Sequence, residues 1–208
     1  MGIYDRGYMR RSYRRGGSGM TVTQLLIAAN VAAFILGNLL LRAMGHNPLD
    51  ALMMRPADVL HGQVWQLWTS TFLHADFWHI AVNMLVLLIF GPHVERAWGA
   101  RKFFWVYTFC GVIGGVLFVL LSLMGFVNPL SPCLGASGCI LGVVGAAAVL
   151  FPDAEVWLFF AIPMSLRTAS FLFAGFYMWN IVFQGQNYGG DIFHLTGMAA
   201  GAGIALLE

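Results

Sequence analysis

Apolar residues run through this chain in long stretches, separated by short segments where charged residues, glycine and proline collect. Six stretches, at 22–41, 77–94, 103–126, 137–151, 168–183 and 192–207, predict helices near the length that crosses a hydrocarbon layer, roughly 20 residues. Several are short for a full crossing, and polar residues interrupt the second and the sixth. The connection 44–76 has its own pattern. Leu60, Val64, Leu67, Trp68 and Phe72 recur at helical spacing beside Trp65, which predicts an amphipathic segment in the membrane interface, packed on the bundle for stability or facing a substrate. The apolar stretch 156–163 ends in Pro163 and precedes Arg167; too short to span, it predicts a cytoplasmic-side turn dipping into the interface.

Composition agrees with lipid as the main solvent: 59% of the 208 residues are hydrophobic and 10% charged, against about 25% charged in a soluble domain. The expected fold is therefore an all-α membrane protein, a bundle of six transmembrane helices with an interfacial helical loop between the first and second. A basic cytoplasmic segment at 1–20 precedes a membrane domain at 21–208. With the N-terminus inside, Arg6, Arg10, Arg11, Arg14, Arg15, Arg96, Arg101, Lys102 and Arg167 fall on the cytoplasmic side, leaving only Arg42 and Arg55 outside. An even number of spans then puts both termini in the cytoplasm, across a bacterial-type inner membrane. The first arginines read as an anchor rather than a targeting peptide, since no small-residue cleavage pattern precedes the first apolar run. A net charge of +2 gives no footprint for nucleic acid. Of the three cysteines, Cys110 and Cys139 sit in apolar runs as small hydrophobes, so neither disulfide, zinc nor other cofactor is expected.

Polar side chains inside spans are expensive and therefore informative. His79, Asn83, Ser137 and His194 stand out. In the orientation above, the second, fourth and sixth spans all start at the outer face, and His79, Ser137 and His194 each lie within their first few residues, at one shared depth. His79 and Asn83, four apart, share a helix face. Small residues supply the means of close approach: Gly138, Gly142 and Ala146 in the fourth span, and Gly197, Gly201 and Ala205 in the sixth, recur every four residues. If those faces pack, Ser137 meets His194.

A serine hydroxyl becomes a useful nucleophile when a base within hydrogen-bond reach takes its proton, and imidazole suits that task near neutral pH. His194 is the candidate base. The oxyanion of a tetrahedral intermediate needs donors, and the backbone N–H of Ser137, at a helix start, has no intrahelical acceptor. His79 and Asn83 are the side-chain candidates for the same task.

At these residues the chain resembles the rhomboid family of intramembrane serine proteases. The resemblance is carried by WQLWTSTFL at 65–73, by His74, His79 and Asn83, by Gly135-Ala136-Ser137-Gly138, and by His194-x-x-Gly197-x-x-x-Gly201, in order across three spans. It implies a six-helix core, a Ser137–His194 dyad, His79 and Asn83 near the oxyanion, and structural support from His74, Gly135, Gly138, Gly197 and Gly201. It also implies substrates that are themselves transmembrane helices. Where many family members carry an aromatic residue four positions after the serine, beneath the histidine ring, this chain has Leu141. Asp191 reads as a helix-start cap, with orientation of His194 as the alternative. His46, His61 and His93 read as solvated or interfacial.

Hydrolysis requires a wet cavity open to the outer face, with the loops 125–134 and 185–190 as candidates to cover it. Two rival functions remain at this point: a catalytically idle rhomboid-like protein that binds membrane helices, and a transporter or metal-binding channel lined by His74, His79 and His194.

Overall fold

The computed structural model describes residues 19–37, 49–158, 161–185 and 187–208. Most of the basic segment 1–20, the end of the first predicted span, Arg42 and His46 lie outside the described residues. Helix α1 (Val22–Phe34) is followed by three short helices, α2 (Leu49–Leu52), α3 (Pro56–Leu60) and α4 (Gln66–Thr69), and a 3-10 turn at Ser70–Phe72. Then come α5 (Phe77–Trp98), α6 (Ala100–Leu123), α7 (Ser137–Leu150), strands β1 (Glu155–Leu158) and β2 (Ile162–Ser165), α8 (Leu166–Val182) and α9 (Tyr188–Leu206). Five of the six predicted apolar runs coincide with a helix to within about four residues, and the first begins with α1 and ends outside the described residues. Among the described residues, α5 and α6 are long and apolar enough to cross a bilayer.

Local chemistry sets the helix starts. Thr21 caps α1 in a reciprocal box with Gln24, and Asp76 caps α5 by accepting from the N–H of His79 at 2.9 Å. The start of α1 is also tied to the far end of α5. The backbone N–H groups of Val22 and Thr23 and the Thr23 hydroxyl donate to the Glu95 carboxylate at 2.8, 2.9 and 2.7 Å, setting negative charge against the positive helix end. A single residue, Gly99 at φ +79°, turns α5 into α6.

The centre of the bundle is α7, apolar all round and buried from Gly138 to Ala147 except at Leu141. It packs against α5, α6 and, most extensively, α9. On that seam the two backbones touch. A methyl group added at Gly197 would fall on the carbonyl oxygen of Gly138, one at Gly201 on that of Gly142, and one at Gly145 on that of Met198. These glycines are needed for their missing Cβ. Helix α8 packs more lightly, leaving Phe171, Leu172, Phe176, Trp179 and Val182 exposed.

Two expectations change. Around the stretch 156–163 the strands β1 and β2 pair antiparallel, with Val156 opposite Met164 and Trp157 opposite Pro163, so α7 and α8 are joined by a small element of sheet. The connection 44–76, where described, is several short helices rather than one amphipathic run. Its apolar side chains Leu60, Val64, Trp65 and Trp68 do point outward, but it is organised around buried polar groups. Gln66 accepts from the N–H of Arg55 at 3.1 Å and donates to Gln63, and the Thr71 hydroxyl donates to the Trp68 carbonyl at 2.7 Å. These local bonds stop the helix from propagating.

Backbone contact on the α7–α9 seam predicts that Gly201→Ala lowers stability by about 1–3 kcal/mol through overpacking. Gly203→Ala, where an added methyl meets nothing within 4 Å, should cause no loss. Thermal unfolding in detergent measures both, and equal midpoints would contradict the packing described.

Candidate active site

The α7–α9 seam carries Ser137 and His194 at its head. Ser137 is the first residue of α7, His194 lies in the second turn of α9, and the Ser137 Oγ is 2.8 Å from the His194 Nε2. In the Nδ1-protonated tautomer of the ring the hydroxyl donates to Nε2. The close approach of Gly197 to Gly138, one turn further in, sets that distance.

The loop before α7 is pinned on its other side. The N–H of Gly135 donates to the Ser70 carbonyl at 3.0 Å, Met54 and Cys133 exchange a pair of backbone bonds, and the N–H of Ala57 donates to the Pro129 carbonyl at 2.9 Å. The loop 125–134, expected as a cover, is thus stapled along the α2–α3 segment. Gly135 itself has φ +128°, and a methyl group there would lie 2.8 Å from the His79 Nε2 and 3.6 Å from the Ser137 Oγ. Glycine answers two demands at this point, the backbone angle and the space between two polar groups.

That space is lined by donors. The N–H of Ala75 approaches the His79 Nδ1 at 3.4 Å, so Nδ1 accepts and the proton sits on Nε2, facing the gap beside Ser137. Asn83, one turn along α5 and buried, donates to the His79 carbonyl at 2.8 Å. The N–H of Ser137 is at the helix start, where α7 has no side-chain cap. His74 is fully buried and packs edge-on against His79, ring centroids 4.9 Å apart. Burial, helped by the neighbouring His79, brings its pKa down to about 4, so the ring is neutral in the fold.

Two neighbours of His194 differ from the sequence reading. Among the described residues Asp191 makes no capping hydrogen bond: its side chain is buried, with Oδ1 3.5 Å from the His194 Nδ1. Beside Leu141, which packs in the core, the aromatic contact to the imidazole comes from another helix altogether. Tyr177 of α8 lies with its ring centroid 5.0 Å from that of His194, the planes 57° apart. Sequence reasoning missed Tyr177. Nothing in the spacing of the α8 aromatics Phe171, Phe173, Phe176, Tyr177 and Trp179 singles it out. His61 and His93 bond to carbonyls of their own helices, at Ala57 and Ile89, away from the site.

Comparison with known proteins gives one consistent family. The model of the Rhomboid domain matches residues 61–208. RHOMBOID-like protein 12, mitochondrial, of Arabidopsis thaliana is 27% identical over 212 residues, covering 94% of this chain and 62% of the relative. Presenilin-associated rhomboid-like protein, mitochondrial, of Homo sapiens is 32% identical over 157 residues, 72% of this chain and 37% of the relative. Rhomboid protease GluP of Bacillus subtilis (strain 168) is 32% identical over 127 residues, 61% of this chain and 24% of the relative. The matches thus span less than two thirds of the length of each of these relatives.

The neutral, buried His74 makes a pH prediction. Its pKa in the fold, about 4, lies below the value near 6.5 of an unfolded histidine, so between these pH values the unfolded chain binds the extra proton. The contribution to stability is whole above about pH 6.5 and is lost as pH falls toward 4. In detergent, the thermal midpoint should drop more between pH 7 and pH 5 for the parent than for His74→Asn. Equal drops would rule the account out.

Proposed function

This chain belongs to the rhomboid family of integral membrane proteins, and on that premise we propose that it is a serine endopeptidase that cuts peptide bonds in or near transmembrane helices of other membrane proteins. The observation that carries the reading is the 2.8 Å approach of the Ser137 hydroxyl to His194, with His79 presenting an N–H to the same gap. In the reaction, His194 takes the hydroxyl proton as the Ser137 Oγ attacks the carbonyl carbon. The N–H groups of Ser137 and the His79 ring, with the Asn83 amide, bind the developing oxyanion. His194 then hands its proton to the departing amine, and water, activated by the same ring, releases the acyl group.

The proposed setting is a six-span bundle in residues 21–208, made of α1 and α5 to α9, with the α2–α4 segment in the outer interface and a basic cytoplasmic segment at 1–20. Helix lengths support a sunken nucleophile. The 14 residues of α7 extend about 21 Å, against about 33 Å for the 22 of α5, so a helix ending near the inner face begins below the outer one. Charge supports the orientation, with both termini inside a bacterial-type inner membrane. Arg96, Arg101 and Lys102 gather at the α5–α6 turn and Arg167 at the start of α8, while Arg55, on the opposite side, is paired with Asp50 at 2.8 Å and Asp58 at 3.6 Å.

A peptide bond in a regular helix is shielded by its own geometry, so the substrates are helices weakened near the outer face by glycine, proline or other poor helix formers. Replacing those residues by leucine in a cleaved model substrate should suppress cutting; undiminished cleavage would remove that part of the reading.

Incubation of the detergent-solubilised protein with a transmembrane model substrate tests the activity itself. Ser137→Ala and His194→Ala should abolish cleavage, and a fluorophosphonate probe should label the parent but not Ser137→Ala. His79→Ala should lower kcat by about 100-fold or more, with little change in KM, as expected for a lost oxyanion donor. A parent that neither cleaves nor takes the probe would instead be an idle member that only binds membrane helices.

A further inference from the structure

A carboxylate buried in an apolar bundle is costly unless it is paired. Asp191 is 2% exposed, and among the described residues its one ionic neighbour is the Nδ1 of His194, 3.5 Å from Oδ1. Among the described residues neither its Oδ2 nor the His194 Nδ1 has a hydrogen-bond partner, so the 3.5 Å approach is a close ionic contact. The two residues stand three apart on α9, so both face α7 and α8 from one side of the helix. From α8, Tyr177 meets the imidazole ring to ring at 5.0 Å, is itself braced by the stacked ring of Phe173, and lies within electrostatic reach of Asp191. Two side chains, one from α9 and one from α8, therefore converge on one imidazole whose remaining nitrogen faces Ser137.

We propose that Asp191 and Tyr177 are positioning residues for His194, the carboxylate by holding Nδ1 and the phenol ring by fixing the plane of the imidazole. The proposal rests on the reading of Ser137 and His194 as nucleophile and base. With Nδ1–H turned to Asp191, Nε2 carries the lone pair and is the nitrogen that accepts from Ser137. As the Oγ–C bond forms, the hydroxyl proton moves to Nε2 and the carbonyl π pair moves onto oxygen. The ring then holds a proton on each nitrogen, and Nδ1–H donates to the Asp191 carboxylate, a contact that tightens as the ring gains charge. When the tetrahedral intermediate collapses, the C–N bond breaks and the Nε2 proton goes to the amine. Neither step passes a proton to Asp191. Tyr177 adds a restraint across helices: the imidazole sits square to Ser137 only while α8 is packed against α9.

The experiment compares Asp191→Asn, Tyr177→Leu and Tyr177→Phe with the parent on a fluorogenic transmembrane substrate, with thermal midpoints measured alongside. Asp191→Asn should lower kcat by at least about tenfold while KM stays within about twofold. Tyr177→Leu should lower kcat several-fold, and Tyr177→Phe, which keeps the ring, should recover it. Losses that follow KM or the thermal midpoint, or no losses, overturn the proposal. A second readout is independent of turnover: in ¹⁵N-histidine-labelled protein, the His194 signal, assigned by its disappearance in His194→Ala, should show the Nδ1–H tautomer and become a tautomer mixture in Asp191→Asn. A parent that fails to cleave yet shows this change removes the protease reading and keeps the positioning role. A tautomer unmoved by Asp191→Asn overturns the positioning role whatever the activity.

Discussion

The contact of two backbones, α7 against α9, is the constraint from which the rest of the bundle follows. Gly138, Gly142 and Gly145 on one helix and Gly197 and Gly201 on the other leave no room for a side chain between them. Packing without side chains gives dispersion contacts between main chains, which supply attraction where surrounding lipid removes any hydrophobic driving force. It also sets helix register more tightly than interleaved leucines would, because a carbonyl oxygen cannot change rotamer. Ser137 and His194 inherit that register.

Around this pair the polar groups are few, and those on the side of His79 are held by their neighbours. Gly135 connects the serine to Ser70 and leaves space for the ring of His79; His79 is backed by His74 and held at its other nitrogen by the N–H of Ala75. The segment between α1 and α5 is therefore less a loop than a wall. Its buried Gln66, Ser70 and Thr71 hold the backbone that approaches the serine, while its tryptophans face outward. Buried polar networks specify one arrangement at the expense of desolvation, and here the arrangement specified is the approach to residue 137.

Much of this was legible in the chain. The apolar runs anticipated α1 and α5 to α9, the four-residue recurrence of glycine and alanine anticipated the seam, and His79, Ser137 and His194, singled out as polar residues in apolar runs, lie close together in the fold. What escaped were features that depend on the relative rotation of helices. Tyr177 is one aromatic among many on α8, and nothing in its spacing marks it as the ring that meets His194. Asp191 sits where a cap is common, and only its burial beside Nδ1 separates the two readings. The hairpin at β1 and β2 was hidden because seven apolar residues followed by a proline look alike as a turn or as paired strands.

The clasp between Glu95 and the first N–H groups of α1 ties the start of one helix to the last turns of another. Bilayers differ in thickness by several ångströms, and helices tilt to match them. A helix pair locked at one end shares such a tilt, so α1 and α5 swing as a single strut and His79 travels with them. The α7–α9 pair, joined along its length, forms a second strut. A change of host membrane would then act on the angle between the struts, leaving Ser137 and His194 at a fixed separation while His79 shifts against them. Lipid composition thereby has a mechanical route to the geometry around Ser137, and through it to the rate of the proposed reaction, without touching the Ser137–His194 contact.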